Sequence, residues 1–224
     1  MKTLVVSIGG SVVLSEEGNG DFLRRLTVLL KNISSQYMLY VIVGGGRIAR
    51  RYIELGRELG FDEDTLDLIG IDVTRVNARI ITNLLGVSNK EIPHTTREAL
   101  KLKHPIVVMG GTDPKHSTDL VGAELAEKTC AVRFVNATNV DGIYDKDPNK
   151  FADAKQLREV SIGDLIRQYG TTWGAAGKNI FMDEPALEII SRARIPTFIV
   201  NGKRLDQLEK ALIGQPFDGT TIIV

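Results

Sequence analysis

Short apolar runs rich in β-branched residues recur along the chain, and three of them break directly into glycine. Val5-Val6-Ser7-Ile8 leads into Gly9-Gly10-Ser11, Val41-Ile42-Val43 into Gly44-Gly45-Gly46-Arg47, and Ile106-Val107-Val108-Met109 into Gly110-Gly111-Thr112. Runs of about four apolar residues without alternation read as strands buried on both faces, as in a parallel sheet. Between the runs the period changes. Residues 47–59 put Ile48, Tyr52, Leu55 and Leu59 on one side of a helix that stops at Gly60. A second helix is predicted over 66–85, with Asp64 or Thr65 as N-cap and Gly86 beyond its end. Its face mixes Asp67, Thr74, Arg75 and Asn77 with apolar positions, which turns it toward a cleft. Further on, the pattern predicts a helix over 120–128 capped by Asp119, a strand over 131–136, and a helix from the cap Ser161 to Tyr169. A loop of small residues over 170–178, suited to moving over a site, precedes helices over 184–193 and 205–213 and strands over 197–200 and 221–224. Strands and helices alternate throughout, so the expected class is α/β, with helices on both faces of a central, mainly parallel sheet. No linker divides the chain. Residues 1–224 are read as a single domain whose halves, 1–130 and 131–224, meet near residue 130.

Composition narrows the function classes. Apolar residues make up 43% of 224, ample for a core, and Lys+Arg and Asp+Glu both number 28. Without a basic excess the sequence does not favour nucleic acid, and it has no polybasic tail for a membrane surface, so an anion would be held by local geometry. The lone Cys130 excludes an internal disulfide and a cysteine-rich zinc site, and it reads as a small core residue before a strand. No stretch approaches the ~18 apolar residues of a membrane span, and the apolar stretch near the N-terminus reads as too short for a signal h-region. The expected location is the cytoplasm.

The glycine turns carry the candidate chemistry. Glycine at a strand end removes the Cβ that would keep a ligand from backbone N–H groups, and ligands of open α/β sheets gather outside the carboxyl ends of strands. Gly44, Gly46 and Ala49 match a dinucleotide fingerprint, but the acidic residues that follow, Asp62, Glu63 and Asp64, lie in a turn with no second strand before them, which disfavours a nicotinamide or flavin site. A Walker A loop is absent: Gly177-Lys178 is followed by Asn179, and Thr172 stands where the first glycine belongs. His94, His104 and His116 lack metal-ligand spacing, and only His116, inside the polar loop 113–119, is a candidate for ligand contact. Adjacent Ser117 and His116 do not form a nucleophilic dyad. Asp119, Asp141, Asp145, Asp147 and Asp183 each have an ordinary reading as caps or turn residues; combined with the glycine turns they fit a site for Mg²⁺ and polyphosphate.

In this order the segments resemble the amino-acid-kinase superfamily, and within it the archaeal type of uridylate kinase. The matching segments include 8–11, 43–47, 70–78, 109–114, 117–119, 138–144, 147–148, 182–183 and 219–222. The resemblance implies a three-layer α/β sandwich, a homohexamer built as a trimer of dimers, and phosphoryl transfer from ATP to UMP with Mg²⁺ in pyrimidine biosynthesis. It places Gly9, Gly10 and Ser11 at the transferred phosphoryl group and ATP. Gly44, Gly45 and Arg50 fall on the UMP phosphate, Asp67 on the ribose, and Thr112, Ser117 and Thr118 in the acceptor pocket. Thr138, Asn139, Asp141, Tyr144 and Asp147 match the ATP loop, and Asp183 the acid that orients groups around the phosphates. The half 1–130 would then bind the acceptor and 131–224 the ATP. The chain departs from the pattern in one place: Ser7 stands where most of the superfamily has a phosphoryl-bridging lysine. Arg47, Lys178 or Mg²⁺ is the expected substitute for its charge, while Lys2 lies a strand-length away. Two alternatives follow: a nucleotide- or oxyanion-binding protein without turnover, and a kinase of a small acceptor such as acetylglutamate, carbamate or isopentenyl phosphate, which Arg50 and Asp67 disfavour.

Overall fold

The computed structural model describes residues 1–14, 20–146, 150–169 and 182–224. In chain order the elements are β1 (Lys2–Ile8), α1 (Gly10–Val13), α2 (Gly20–Ser34), β2 (Tyr37–Val43), α3 (Gly46–Glu58), α4 (Glu63–Leu85), α5 (Thr96–Ala99), β3 (Ile106–Met109) and α6 (Thr118–Lys128). There follow β4 (Arg133–Thr138), β5 (Ile143–Tyr144), β6 (Gln156–Leu157), β7 (Glu159–Ser161), α7 (Ile162–Tyr169), α8 (Glu184–Ala193), β8 (Thr197–Asn201), α9 (Leu205–Ile213) and β9 (Gly219–Ile223). Seven strands form one sheet in the order β3-β2-β1-β4-β8-β9-β7, while β5 and β6 pair separately. Every neighbouring pair in the large sheet is parallel except β8 with β9.

The alternation of side chains along β1 divides the core into two layers. Leu4, Val6 and Ile8 pack with Leu26 and Leu30 of α2, Ile81 and Leu85 of α4, and Leu208 and Leu212 of α9. Val5 belongs to the opposite layer, with Ile42, Met109 and Phe134 of the sheet, Val121 and Leu125 of α6, Leu165 of α7, and Leu187 and Ile190 of α8. This is the expected three-layer α/β sandwich around a mainly parallel sheet. Burying one such side chain fully contributes about 1.5–3 kcal/mol. From β1 the chain builds outward to β2 and β3, then crosses back to β4 and β8, so the strand order reverses between β1 and β4. A crevice outside the carboxyl ends of these strands is where such sheets bind ligands.

Several expectations change in detail. The cap of α4 is Asp62, whose carboxylate accepts from Thr65 N at 2.8 Å, so neither Asp64 nor Thr65 serves. Helix α6 begins at Thr118 with Ser117 as its cap, which puts Asp119 inside the first turn. Ala131 N still bonds Ala126 O at the end of α6, delaying β4 to Arg133. Cys130 is exposed at a positive φ of 49°, not buried: it closes the turn after α6. On α3 the apolar stripe faces outward, with Ile48, Tyr52, Leu55 and Leu59 at 44%, 53%, 50% and 63% exposure. Helix α2, unassigned in the pattern reading, buries Leu23, Leu26, Leu30 and Ile33 at regular helical spacing. Among the described residues no helix is long and apolar enough to cross a membrane.

Candidate active site

The first two glycine turns meet each other before either meets a ligand. A Cβ on Gly10 would lie 2.2 Å from Gly46 N and 2.5 Å from Gly44 O, contacts no side chain can make. Gly46 has φ +67°, and its own Cβ would fall 2.4 Å from Gly10 C. These positions need glycine because the turns after β1 and β2 are packed backbone on backbone. That refines the initial reading, in which the missing Cβ served the ligand. Gly9 keeps a freer face; its N–H is spent on Ala137 O at 2.9 Å, tying the turn after β1 to β4. Helix α3 starts inside the second turn with no side-chain cap and no acid in its first turn. The N–H groups and dipole at a helix N-terminus suit an anion. Arg47 and Arg50 are exposed beside that terminus, and Arg50 Nη2 reaches back to Ser11 Oγ at 3.3 Å.

Helix α4 braces the turns through the polar positions singled out in its sequence. Asn77 Nδ2 donates to Gly44 O at 2.8 Å, and Thr74 Oγ1 accepts from Gly111 N at 2.7 Å while donating to Ile71 O. Arg75 Nη2 donates to Thr112 O at 3.2 Å, and Asp67 accepts from Lys115 N at 2.8 Å. Lys115 takes a positive φ of 67° to make that bond. Asp67, Thr112 and the loop leading to Ser117 and Thr118 are therefore joined to one helix. Asp67, Thr74 and Asn77 are spaced by seven and three residues, close to whole turns of one face.

Two carboxylates set the local electrostatics. Asp119 Oδ1 accepts from Ser7 Oγ at 2.9 Å, and its side chain is also bonded by Asn136 of β4. Burial pushes the Asp119 acid up to about 7, the Asp183 charge adds to the rise, and the bonds from Ser7 and Asn136 oppose it. Asp183 occupies the N-cap position of α8 but does not cap: its Oδ1 accepts from Ser117 Oγ at 2.8 Å, and Oδ2 is buried with no hydrogen-bond partner among the described residues. Burial raises its pKa too, against the Ser117 bond and the His116 charge. A cap residue that leaves its own helix to meet a hydroxyl across the crevice has been drawn away from its local function. Asp119 appeared in the sequence as a cap; its spacing after Ser117 was the signal for the other reading, since only one of the two can cap α6.

On the other side of the reversal lie the residues assigned to an ATP loop. Thr138 ends β4, and Thr138 and Asn139 side chains meet at 3.4 Å. Asp141 accepts from Asn201 Nδ2 at 3.0 Å and lies 3.8 Å from Arg204, which with Arg158 also pairs to Asp218. Tyr144 sits in β5, its hydroxyl pKa raised by burial and by the charges of Asp141 and Asp218. Asn201, Arg204 and Asp218 were not singled out in the sequence, because each is an ordinary polar residue until β8 and β9 come together. Asp147 and Lys178 lie outside the described residues, as does the whole loop 170–178. The described residues contain no group of three acids, histidines or cysteines able to hold a metal ion.

A family model for the amino acid kinase family matches residues 2–201. The uridylate kinase of Methanothermobacter thermautotrophicus is 44% identical over 223 residues, covering 98% of each protein. That of Methanobrevibacter smithii is 42% identical over 223 residues with the same coverage. The crystal structure of uridylate kinase from Archaeoglobus fulgidus has a TM-score of 0.87 at 37% identity, over 99% of this chain and 100% of that one. With a strand reversal bordered by paired glycine turns, and with a match over most of its length, the chain belongs to the amino acid kinase family.

Proposed function

We propose that the chain is a UMP kinase, transferring the γ-phosphoryl group of ATP to UMP to give ADP and UDP in pyrimidine nucleotide synthesis. Near-full-length identity of 42–44% to archaeal uridylate kinases carries the reading. The backbone contact between the first two glycine turns supports it, because a direct transfer needs donor and acceptor phosphates side by side. In this reading Gly9, Gly10 and Ser11 receive the transferred group, while Gly44, Gly45 and Arg50 hold the UMP phosphate at the α3 terminus. Asp67 takes the ribose, and Thr112, Ser117 and Thr118 line the acceptor pocket. Thr138, Asn139, Asp141, Tyr144 and Asp147 receive ATP. The half 1–130 thus binds the acceptor and 131–224 the donor.

Phosphoryl transfer asks for positioning and charge neutralisation more than for covalent chemistry. The UMP phosphate oxygen is already a nucleophile at neutral pH, so no general base is required. Asp183, pinned by Ser117, orients groups about the phosphates, and Arg47, Lys178 or Mg²⁺ supplies positive charge in place of the lysine absent at Ser7. Magnesium would enter with ATP: the described carboxylates do not form a cage of their own, and Mg²⁺ commonly rests on substrate phosphates. We place the reaction in the cytoplasm and the assembly as a homohexamer, a trimer of dimers. The exposed stripe of α3 supports self-association, since Ile48, Tyr52 and Leu55 line a groove of about 700 Å³ together with Arg51, Glu54 and Glu58.

A coupled ADP assay with ATP and Mg²⁺ tests the reading against UMP, CMP, AMP, GMP, acetylglutamate, carbamate and isopentenyl phosphate. Turnover highest with UMP is expected. Tight ATP binding with no UMP turnover would sink the kinase in favour of a binding protein, and turnover of a small acceptor alone would change the substrate.

A further inference from the structure

Ser7 interrupts an otherwise apolar stretch of β1. Its exposure is 2%, it pairs in register with Ile42 of β2 and Asn136 of β4, and it lies in the layer that packs under α6 and α8. Packing alone would favour an alanine or valine there, because a buried hydroxyl costs free energy unless it is bonded. The hydroxyl is bonded, donating to Asp119 at 2.9 Å across 112 residues of sequence. Asn136, itself 4% exposed, bonds the same carboxyl from β4. The two strands on either side of the reversal therefore grip one side chain in the first turn of α6.

Two residues earlier in that turn, Ser117 both accepts from Leu120 N at 3.0 Å and donates to Asp183 at 2.8 Å. A continuous path of bonds and one helical turn thus links the end of β1, immediately before Gly9-Gly10, to the Asp183 carboxyl. A lysine at this position would extend its own charge toward the phosphates. A serine side chain is too short to do that, so any effect it has on turnover must pass through Asp119.

We propose that Ser7 is a positioning residue for phosphoryl transfer: its hydroxyl fixes Asp119, and through the first turn of α6 it sets Ser117, Thr118 and Asp183 against the glycine turn after β1. The proposal rests on the kinase reading. The charged and titratable groups around Asp119 are Asp183 and, through Asp183, His116, with Ser7 and Asn136 as uncharged donors. Loss of the Ser7 bond removes one of the two interactions that hold the Asp119 pKa down, so the midpoint of that acid moves up.

The test measures kcat, both KM values and the pH profile for wild type, Ser7→Ala, Ser7→Thr, Asp119→Ala and Ser7→Ala/Asp119→Ala. Ser7→Ala is expected to lower kcat by about tenfold to a hundredfold, the scale of small misplacements at a reacting centre, with KM for UMP and ATP nearly unchanged. The pH limb assigned to Asp119 shifts upward in Ser7→Ala, Ser7→Thr recovers most of the turnover because it keeps the hydroxyl, and in the Asp119→Ala background, where the acceptor is gone, the alanine change at Ser7 adds less than about twofold. Ser7→Ala with wild-type kcat, or an undiminished loss in the Asp119→Ala background, overturns the proposal. Should Ser7→Ala fail to fold, Ser7→Cys, similar in size and a weak donor, carries the same comparison. Wild-type activity separates the two failures. If UMP is not phosphorylated the kinase reading falls, and the same ratios are read with whichever acceptor the panel identifies; if wild type turns over UMP and the Ser7 variants match it, only the Ser7 role falls.

Discussion

Replacing Asp119 by asparagine should stabilise the protein at alkaline pH while lowering its turnover. The amide keeps nearly the same shape, and its oxygen can still accept from Ser7 Oγ, which lies 2.9 Å from the carboxylate. What it removes is a charge that the surroundings disfavour. The Asp119 acid titrates at about 7 in the folded chain against an ordinary value of 3.8, chiefly through burial. Because the folded pKa is the higher one, the native state holds the proton longer than the unfolded state. The favourable contribution of the neutral acid is complete below about pH 4 and is lost as pH rises through about 7. At about 1.4 kcal/mol per pH unit the loss is at most about 4 kcal/mol. The residue is only partly buried by surface area, so solvent reduces it to about 1–3 kcal/mol. Urea unfolding followed by circular dichroism, at one protein concentration and at pH 5, 6, 7 and 8, gives the difference between Asp119→Asn and wild type. That difference should move in favour of the variant by about 1–3 kcal/mol across the series and level off above pH 8. A difference that stays flat, or moves the other way, refutes the assignment of a neutral buried acid. Asp183 titrates in the same direction but is present in both proteins, so it cancels to first order.

Gly10→Ala should cost more than about 3 kcal/mol or prevent folding, since its Cβ would lie 2.2 Å from backbone, and thermal denaturation together with turnover reads both effects. Thr74→Val keeps the shape but leaves the buried Gly111 N–H without its acceptor, a loss of about 1–3 kcal/mol in urea unfolding, accompanied by a higher KM for UMP if the third turn shapes the acceptor pocket. Asp183→Asn should lower kcat far more than it changes KM for UMP; an equal loss in binding with preserved kcat would show that the residue acts on the ground state.

The framework of this fold was legible because its strands are short, apolar and terminated by glycine, and because α8 and α9 carry clear periodicity between turn residues. Both helices occupy the predicted spans, 184–193 and 205–213. Boundaries moved where a side chain had two possible partners. At α6 the local rule allowed either Ser117 or Asp119 to cap, and the decision came from Ser7 and Asn136, strands away in sequence. The stripe on α3 was read correctly as one helical side, yet period alone cannot say whether an apolar face meets the core or the outside. The polar residues of α4 were visible as anomalies on an apolar helix, whereas the turn each one holds required the third dimension. The same limit explains the glycines. Sequence shows that a strand ends in Gly9-Gly10 or Gly44-Gly45-Gly46; it does not show that Gly10 and Gly46 exclude each other's side chains. That contact changes the function of the motif. A glycine chosen only to admit phosphate could be replaced by alanine at a cost in binding, but one that lets two turns touch sets the separation between donor and acceptor. Substitution at Gly10 should therefore disturb the fold and the transfer together, whereas Gly9, whose Cβ would make only ordinary contact at 3.4 Å, is the position at which ligand approach can be perturbed with less damage to the scaffold.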